Sequence, residues 1–119
     1  MKILSSSVHG YLDYVTVAIF ALAPIVLGLT GTAAGLSYLL AVVHAAMTLV
    51  TDMPMSVGKF VPFARHGYVE WVVGPVLIVL SFVSAVAPDQ TSVIFFLVMG
   101  VVISAVGLLT RYSPDMPMA

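Results

Sequence analysis

Four long apolar runs, each ended by glycine, proline or polar residues, set the pattern of this chain. They cover roughly Gly10 to Leu29, Ala34 to Thr51, Gly67 to Val86 and Ser92 to Thr110. A helix needs about 20 apolar residues to cross the hydrocarbon core of a bilayer, so each run predicts one transmembrane span. Strands of a membrane barrel would alternate in polarity, and these runs are continuously apolar. Pro24 interrupts the first run and Gly74-Pro75 lies inside the third, which transmembrane helices tolerate. Turn-rich breaks, Gly28-Leu29-Thr30-Gly31-Thr32 and Ala87-Pro88-Asp89-Gln90-Thr91, reverse the chain after the first and third runs. The longer connection from Asp52 to Arg65 divides the whole into two helical hairpins.

Composition agrees with that reading. The chain of 119 residues is 61% hydrophobic and 8% charged, with a mean hydropathy of +1.17. A soluble domain carries about a quarter charged residues, and so short a chain cannot hide this much apolar surface in its own core. Lipid is the expected partner, and the net charge of −1 gives no case for nucleic acid. No cysteine is present, so disulfides, thiolate metal sites and iron–sulfur clusters are excluded. The first apolar run is too long for a cleavable signal and is expected to be retained. Lys2, Lys59, Arg65 and Arg111 are the only basic residues, and all fall at the N-terminus, the middle connection or the C-terminus. With four spans these regions share one side, so both termini are expected to be cytoplasmic in a cell inner membrane.

Inside the pattern lies a doubled phrase. His9-Gly10-Tyr11-Leu12-Asp13-Tyr14-Val15 returns as His66-Gly67-Tyr68-Val69-Glu70-Trp71-Val72, each copy heading an apolar run. Leu49-Val50-Thr51 is echoed by Leu108-Leu109-Thr110, and Asp52-Met53-Pro54-Met55 by Asp115-Met116-Pro117-Met118. A single domain over 1–119 thus divides into one unit over 9–52 and a second over 66–111. The expected fold is all-α: an integral membrane four-helix bundle of two tandem hairpins, related by a pseudo-twofold axis along the membrane normal.

The doubled hairpin resembles the small bacterial membrane proteins built from SPW repeats, two-helix units with Ser-Pro-Trp late in the first helix. The matching stretch is Leu22-Ala23-Pro24-Ile25-Val26-Leu27-Gly28, with Ala23-Pro24-Ile25 where Ser-Pro-Trp would stand. In the second unit Leu80-Ser81-Phe82 takes that place. The resemblance implies the hairpin architecture and no particular activity.

Chemistry would gather near the cytoplasmic boundary. A carboxylate follows each repeated histidine by four residues, which puts the pair on one helical face. His44 lies about two turns before the end of the second span, with Thr48 and Asp52 following on its face. The candidate cluster is therefore His9, Asp13, His44, Asp52, His66 and Glu70, framed by Tyr11, Tyr14, Tyr68 and Trp71. One reading makes these groups helix-head pairs and an aromatic interface belt, with Asp13 neutralised by Lys2, Lys59 or Arg65. A second makes His9, His44 and His66 metal ligands assisted by Asp13 and Glu70, for zinc, iron or manganese. Haem needs two histidines facing each other at one depth. Copper would use the Met-Pro-Met phrases, although Met53-Pro54-Met55 also serves as an apolar helix stop. Proton-coupled transport would use Asp13 or Glu70 in an oligomer, and small multidrug resistance transporters are similar in size and span number. Gly100, Ser104 and Gly107 form a small-residue stripe suited to internal packing or to a dimer face. No nucleophile–base–orienter set, P-loop or dinucleotide-binding glycine pattern is present. The expectation is a non-catalytic accessory or scaffold protein, with a membrane-protein partner or as a homo-oligomer; the alternatives are a metal- or haem-binding protein and a small proton-coupled transporter.

Overall fold

A computed structural model describes residues 2–112, so the second Asp-Met-Pro-Met phrase lies outside the described residues. Within them the chain is helical, without strands: α1 (Ser6–Val26), α2 (Gly31–Val50), α3 (Phe63–Leu80) and α4 (Gln90–Leu109). All four helices are long and apolar enough to cross a membrane.

Local chemistry sets the helix ends, and it moves them from the limits of the apolar runs. α1 begins ahead of its run because Ser5 caps it, accepting the Val8 N–H at 3.3 Å. Pro62, in extended conformation, leads into α3 and brings Phe63-Ala64-Arg65 into its first turn. At its other end α3 stops at Leu80, short of Val86. Ser81 turns its hydroxyl back onto the Ile78 carbonyl at 2.6 Å, and Phe82 and Val83 bond to the carbonyls of Val79 and Leu80 in tight turns. Gly28 (φ 69°) and Gly31 (φ 54°) occupy the left-handed region in the α1–α2 turn, which other residues seldom enter.

α1 packs on α2 and α3 on α4. Phe20, Leu77 and Phe96 fill the middle of the core, and the Phe20 and Phe95 rings meet edge to face at 5.8 Å. The stripe of Gly100, Ser104 and Gly107 faces inward onto α3: a Cβ on Gly100 would meet the Gly74 carbonyl at 2.8 Å, and one on Gly107 would meet Trp71 at 2.8 Å. Large apolar side chains such as Ile25, Val42 and Phe82 cover the outside.

Two backbone clamps close one end of the bundle. Ile3 and Leu4 donate to the Leu109 carbonyl (2.8 and 2.9 Å), while Arg111 donates to Leu4 (2.8 Å). Phe60 and Val61 donate to the Val50 carbonyl (2.9 and 3.0 Å), while Asp52 donates to Val61 (2.8 Å). These bonds satisfy carbonyls that a helix C-terminus leaves open. They also tie the chain before α1 to the end of α4, and the chain before α3 to the end of α2. The starts of α1 and α3 and the ends of α2 and α4 therefore meet at one level.

Candidate functional site

At that level the repeated histidines come together. His9 is the fourth residue of α1 and His66 the fourth of α3, and each carries its carboxylate one turn further in. Relative exposures are 0% for His9, 2% for Asp13, 1% for His66 and 4% for Glu70, so all four are withdrawn from solvent.

Each imidazole is held from behind by a threonine at the end of the other hairpin. His9 Nδ1 lies 2.8 Å from the Thr110 hydroxyl, and His66 Nδ1 lies 2.8 Å from the Thr51 hydroxyl. Both hydroxyls donate within their own helix, Thr110 to the Val106 carbonyl (2.6 Å) and Thr51 to the Met47 carbonyl (2.5 Å). A hydroxyl has one proton. With that proton committed, each threonine oxygen accepts from the histidine, which assigns the ring proton to Nδ1. Nε2 of both rings is left facing the centre.

The centre is made of carboxylate oxygens. His9 Nε2 is 3.2 Å from Asp13 Oδ1 and 3.2 Å from Glu70 Oε1. His66 Nε2 is 3.2 Å from Asp13 Oδ2 and 3.1 Å from Glu70 Oε1. His9 Nε2 has no aligned hydrogen bond to either oxygen near it, whereas His66 Nε2 is hydrogen-bonded to Glu70 Oε1. Neutral imidazoles would turn lone pairs toward carboxylate lone pairs, in a dry site where an uncompensated charge costs several kcal/mol. The centre therefore needs either protons between these groups, on Nε2 or on a carboxyl oxygen, or one divalent cation.

His44 reaches the same carboxylates from α2, its Nε2 3.3 Å from Asp13 Oδ1 and 3.9 Å from Glu70 Oε1. It stands outside the group of ligand atoms that lie within 4.8 Å of one another, which is formed by His9, Asp13, His66 and Glu70. Thr48 gives its proton to the His44 carbonyl (2.7 Å), and its 3.5 Å approach to Asp13 is a contact rather than a strong bond. Asp52 is elsewhere: α2 ends before it, its side chain is 63% exposed, and it faces Lys59 Nζ at 3.7 Å. Lys2 donates to the Leu108 carbonyl and Lys59 to the Met53 carbonyl, so these two lysines are engaged away from Asp13.

One contributor carries no mark in the repeat. Tyr112, just past α4, donates to Glu70 Oε2 at 3.0 Å and packs on Phe63 (ring centroids 4.8 Å apart) and His9 (5.6 Å). Burial, and then the adjacent Glu70 charge, push its hydroxyl above the usual tyrosine value, which keeps it a donor. Of the expected aromatic frame, Tyr11 and Tyr68 face outward, Tyr14 bonds to the Met55 carbonyl at 2.7 Å, and Trp71 lies beneath Lys2.

The donor set discriminates between cofactors. The His9 and His66 rings are 5.3 Å apart with both carboxylates converging between them, which leaves no room for a porphyrin. Met53 and Met55 pack over Gly10. Two imidazole nitrogens and two carboxylates suit a borderline divalent ion such as zinc, ferrous iron or manganese. The fold and site together define a class: four membrane-length helices closed around a buried histidine–carboxylate centre. No family model, curated protein or solved structure matches the chain.

Proposed function

We propose that this chain is a multi-pass membrane protein that holds one divalent first-row transition-metal ion between His9, Asp13, His66 and Glu70. The observation that carries this reading is the set of four nitrogen–oxygen separations, all 3.1 to 3.2 Å. A tetrahedral ion with bonds of about 2.0–2.1 Å sets its ligand atoms about 3.3 Å apart. Asp13 turns Oδ1 to His9 and Oδ2 to His66, so one of its oxygens would bind the ion and the other would stay beside a histidine. The threonine bonds at Nδ1 supply the outer support that ligating histidines use, fixing both tautomer and ring direction. The charges also balance, since two carboxylates neutralise one divalent ion.

The same reading places the protein in a bilayer as two repeated hairpins about an axis along the membrane normal. The reciprocal His9–Thr110 and His66–Thr51 bonds support the repeat, as do the paired backbone clamps. A long dimension of 43 Å suits a bilayer with its headgroups. Lys2, Lys59, Arg65 and Arg111 all lie at the histidine end, which supports a cytoplasmic site and cytoplasmic termini in an inner membrane. Kinship with SPW-repeat proteins would rest on Pro24 near the far end of α1; Ser81, just past α3, stands where the second unit lacks that proline.

The test is elemental analysis of protein purified without chelator or nickel, beside the His9→Ala/His66→Ala double variant. Near-stoichiometric metal that disappears in the double variant is expected. Metal-free protein that also takes up no zinc, iron or manganese on titration would sink the proposal. The cluster would then be a charge-paired clasp between hairpins, and an accessory or scaffold role would become the leading reading.

A further inference from the structure

The proposed metal site has one open side. A cavity of about 30 Å³ lies between α2 and α3, and His66 and Glu70 form part of its wall. That is room for about one water molecule or a diatomic of similar size. His44 is the third polar group in the wall. Its Nε2 approaches both carboxylates from this side, yet it stands outside the mutually close ligand set. The remaining lining is apolar, with Val43 and Val69 at an exposed rim. Each of these helices packs chiefly on its own hairpin partner.

Resting on the metal reading above, we infer that the four-coordinate ion takes up a fifth ligand from the side of this cavity, and that this ligand is small and uncharged: a diatomic gas. Three observations converge on it. The ligand set of two imidazoles and two carboxylates comes from α1 and α3, and α2 faces it with His44, which stands outside that set. The volume admits a diatomic. The apolar rim and the neutral total charge of ion and carboxylates favour an uncharged ligand over an anion. His44 stands where it can donate a hydrogen bond to the ligand, as a positioning residue. Binding adds one ligand, breaks no bond and moves no proton.

The experiment loads the full-length protein in detergent with ferrous iron without oxygen, measures iron content, then titrates with nitric oxide. Electron paramagnetic resonance reads the bound state. A stoichiometric high-spin iron–nitrosyl signal is expected. Val73→Phe, which fills the cavity, should weaken nitric oxide binding at least tenfold while iron content stays at the wild-type level. Val69→Phe does the same from the rim and serves if Val73→Phe fails to fold. His44→Leu should weaken binding about fivefold to tenfold, the worth of one hydrogen bond, again with iron retained. Iron uptake without a nitrosyl signal overturns this inference alone, as does a signal indifferent to both cavity-filling variants. Failure of iron, zinc and manganese all to bind overturns the metal reading and this inference with it.

Discussion

The two hairpins share a plan and differ in how they are held together. α1 and α2 are joined by a hydrogen bond, Ser37 donating to the Phe20 carbonyl at 2.6 Å in the core. α3 and α4 are joined by the absence of side chains. Gly74 and Gly100 lie back to back, so that a Cβ on Gly100 would sit 2.8 Å from the Gly74 carbonyl. Polar chemistry divides the other way. Asp13 has His44 and Thr48 facing it from α2, whereas α4 presents Ile103 to the core and Gly107 to Trp71. The second hairpin is the closer packed, and each carboxylate has its own unmatched partner: His44 of α2 for Asp13, and Tyr112, just past α4, for Glu70. The heads of α1 and α3 thus supply two like histidines, while the groups that face their carboxylates from other elements differ.

The largest effect should separate the two like histidines from the third. His9→Ala or His66→Ala alone is expected to weaken metal binding by at least about 100-fold, beyond the usual effect of losing an outer-shell partner. His44→Ala should retain most of the metal. Competition titration with a chromophoric chelator checks this, and equal losses at all three positions would make His44 a ligand and the centre a three-histidine site. One step smaller, Thr51→Val and Thr110→Val remove the hydroxyls that hold Nδ1. Each should weaken metal binding by about 10- to 100-fold and by similar factors, since the two bonds are alike at 2.8 Å.

Much of this was legible in the pattern of residues, and the gaps have physical causes. The number and order of helices follow from run length, because nothing but a helix satisfies its own backbone over so long an apolar stretch. The limits did not follow. Hydropathy is blind to Ser81, whose hydroxyl turns the end of α3 inside an apolar run, and to Ser5, whose cap extends α1 beyond one. The repeated phrase marked His9, Asp13, His66 and Glu70, and the structure gathers these four. Asp52 stands apart because carrying the His44 face forward assumes a helix that stops at Val50. Thr51 and Thr110 were visible as an echo, but their pairing with the histidines crosses between hairpins and no spacing along one helix reveals it. Tyr112 has no counterpart in the repeat and gave no signal.

Stability tests sharpen the contrast in packing. Gly100→Ala or Gly74→Ala forces backbone apart, since the new methyl would meet the Gly74 carbonyl at 2.8 Å or the Ser104 amide at 2.9 Å. Overpacking of this kind costs about 1–3 kcal/mol. In α2 the Cβ of Gly35→Ala meets nothing within 4 Å, so this variant should match wild type or gain up to about 1 kcal/mol of helix propensity. Near the site the same contrast recurs. Gly67→Ala drives a methyl into the Tyr112 ring at 2.6 Å and so disturbs the bond to Glu70, whereas Gly10→Ala meets the flexible end of Met55 at 2.8 Å. Thermal unfolding in detergent should rank Gly67→Ala well below Gly10→Ala, and the reverse order would mean that the two helix heads are not held as described.

The smallest effect lies at the far end, where the turn before α4 is capped and the turn before α2 is not. Asp89 accepts the Ser92 backbone N–H at 2.8 Å and the Ser92 hydroxyl at 2.8 Å, while Thr30 makes no such side-chain bond at the start of α2. Those two bonds, the backbone one first, hold the Asp89 carboxyl below its ordinary value. A carboxylate whose folded value is depressed stabilises fully above its unfolded value of about 3.9, and that contribution is lost as pH falls through the folded value. At neutral pH Asp89→Ala should therefore lower the unfolding midpoint slightly, and Asp89→Asn, which still accepts the amide, less. The gap between wild type and Asp89→Ala should narrow as pH is taken below about 4. Thr30→Ala should change nothing at any pH. A pH-independent gap at Asp89 would assign the cap to hydrogen-bond geometry alone, and an equal loss at Thr30 would erase the difference between the two turns.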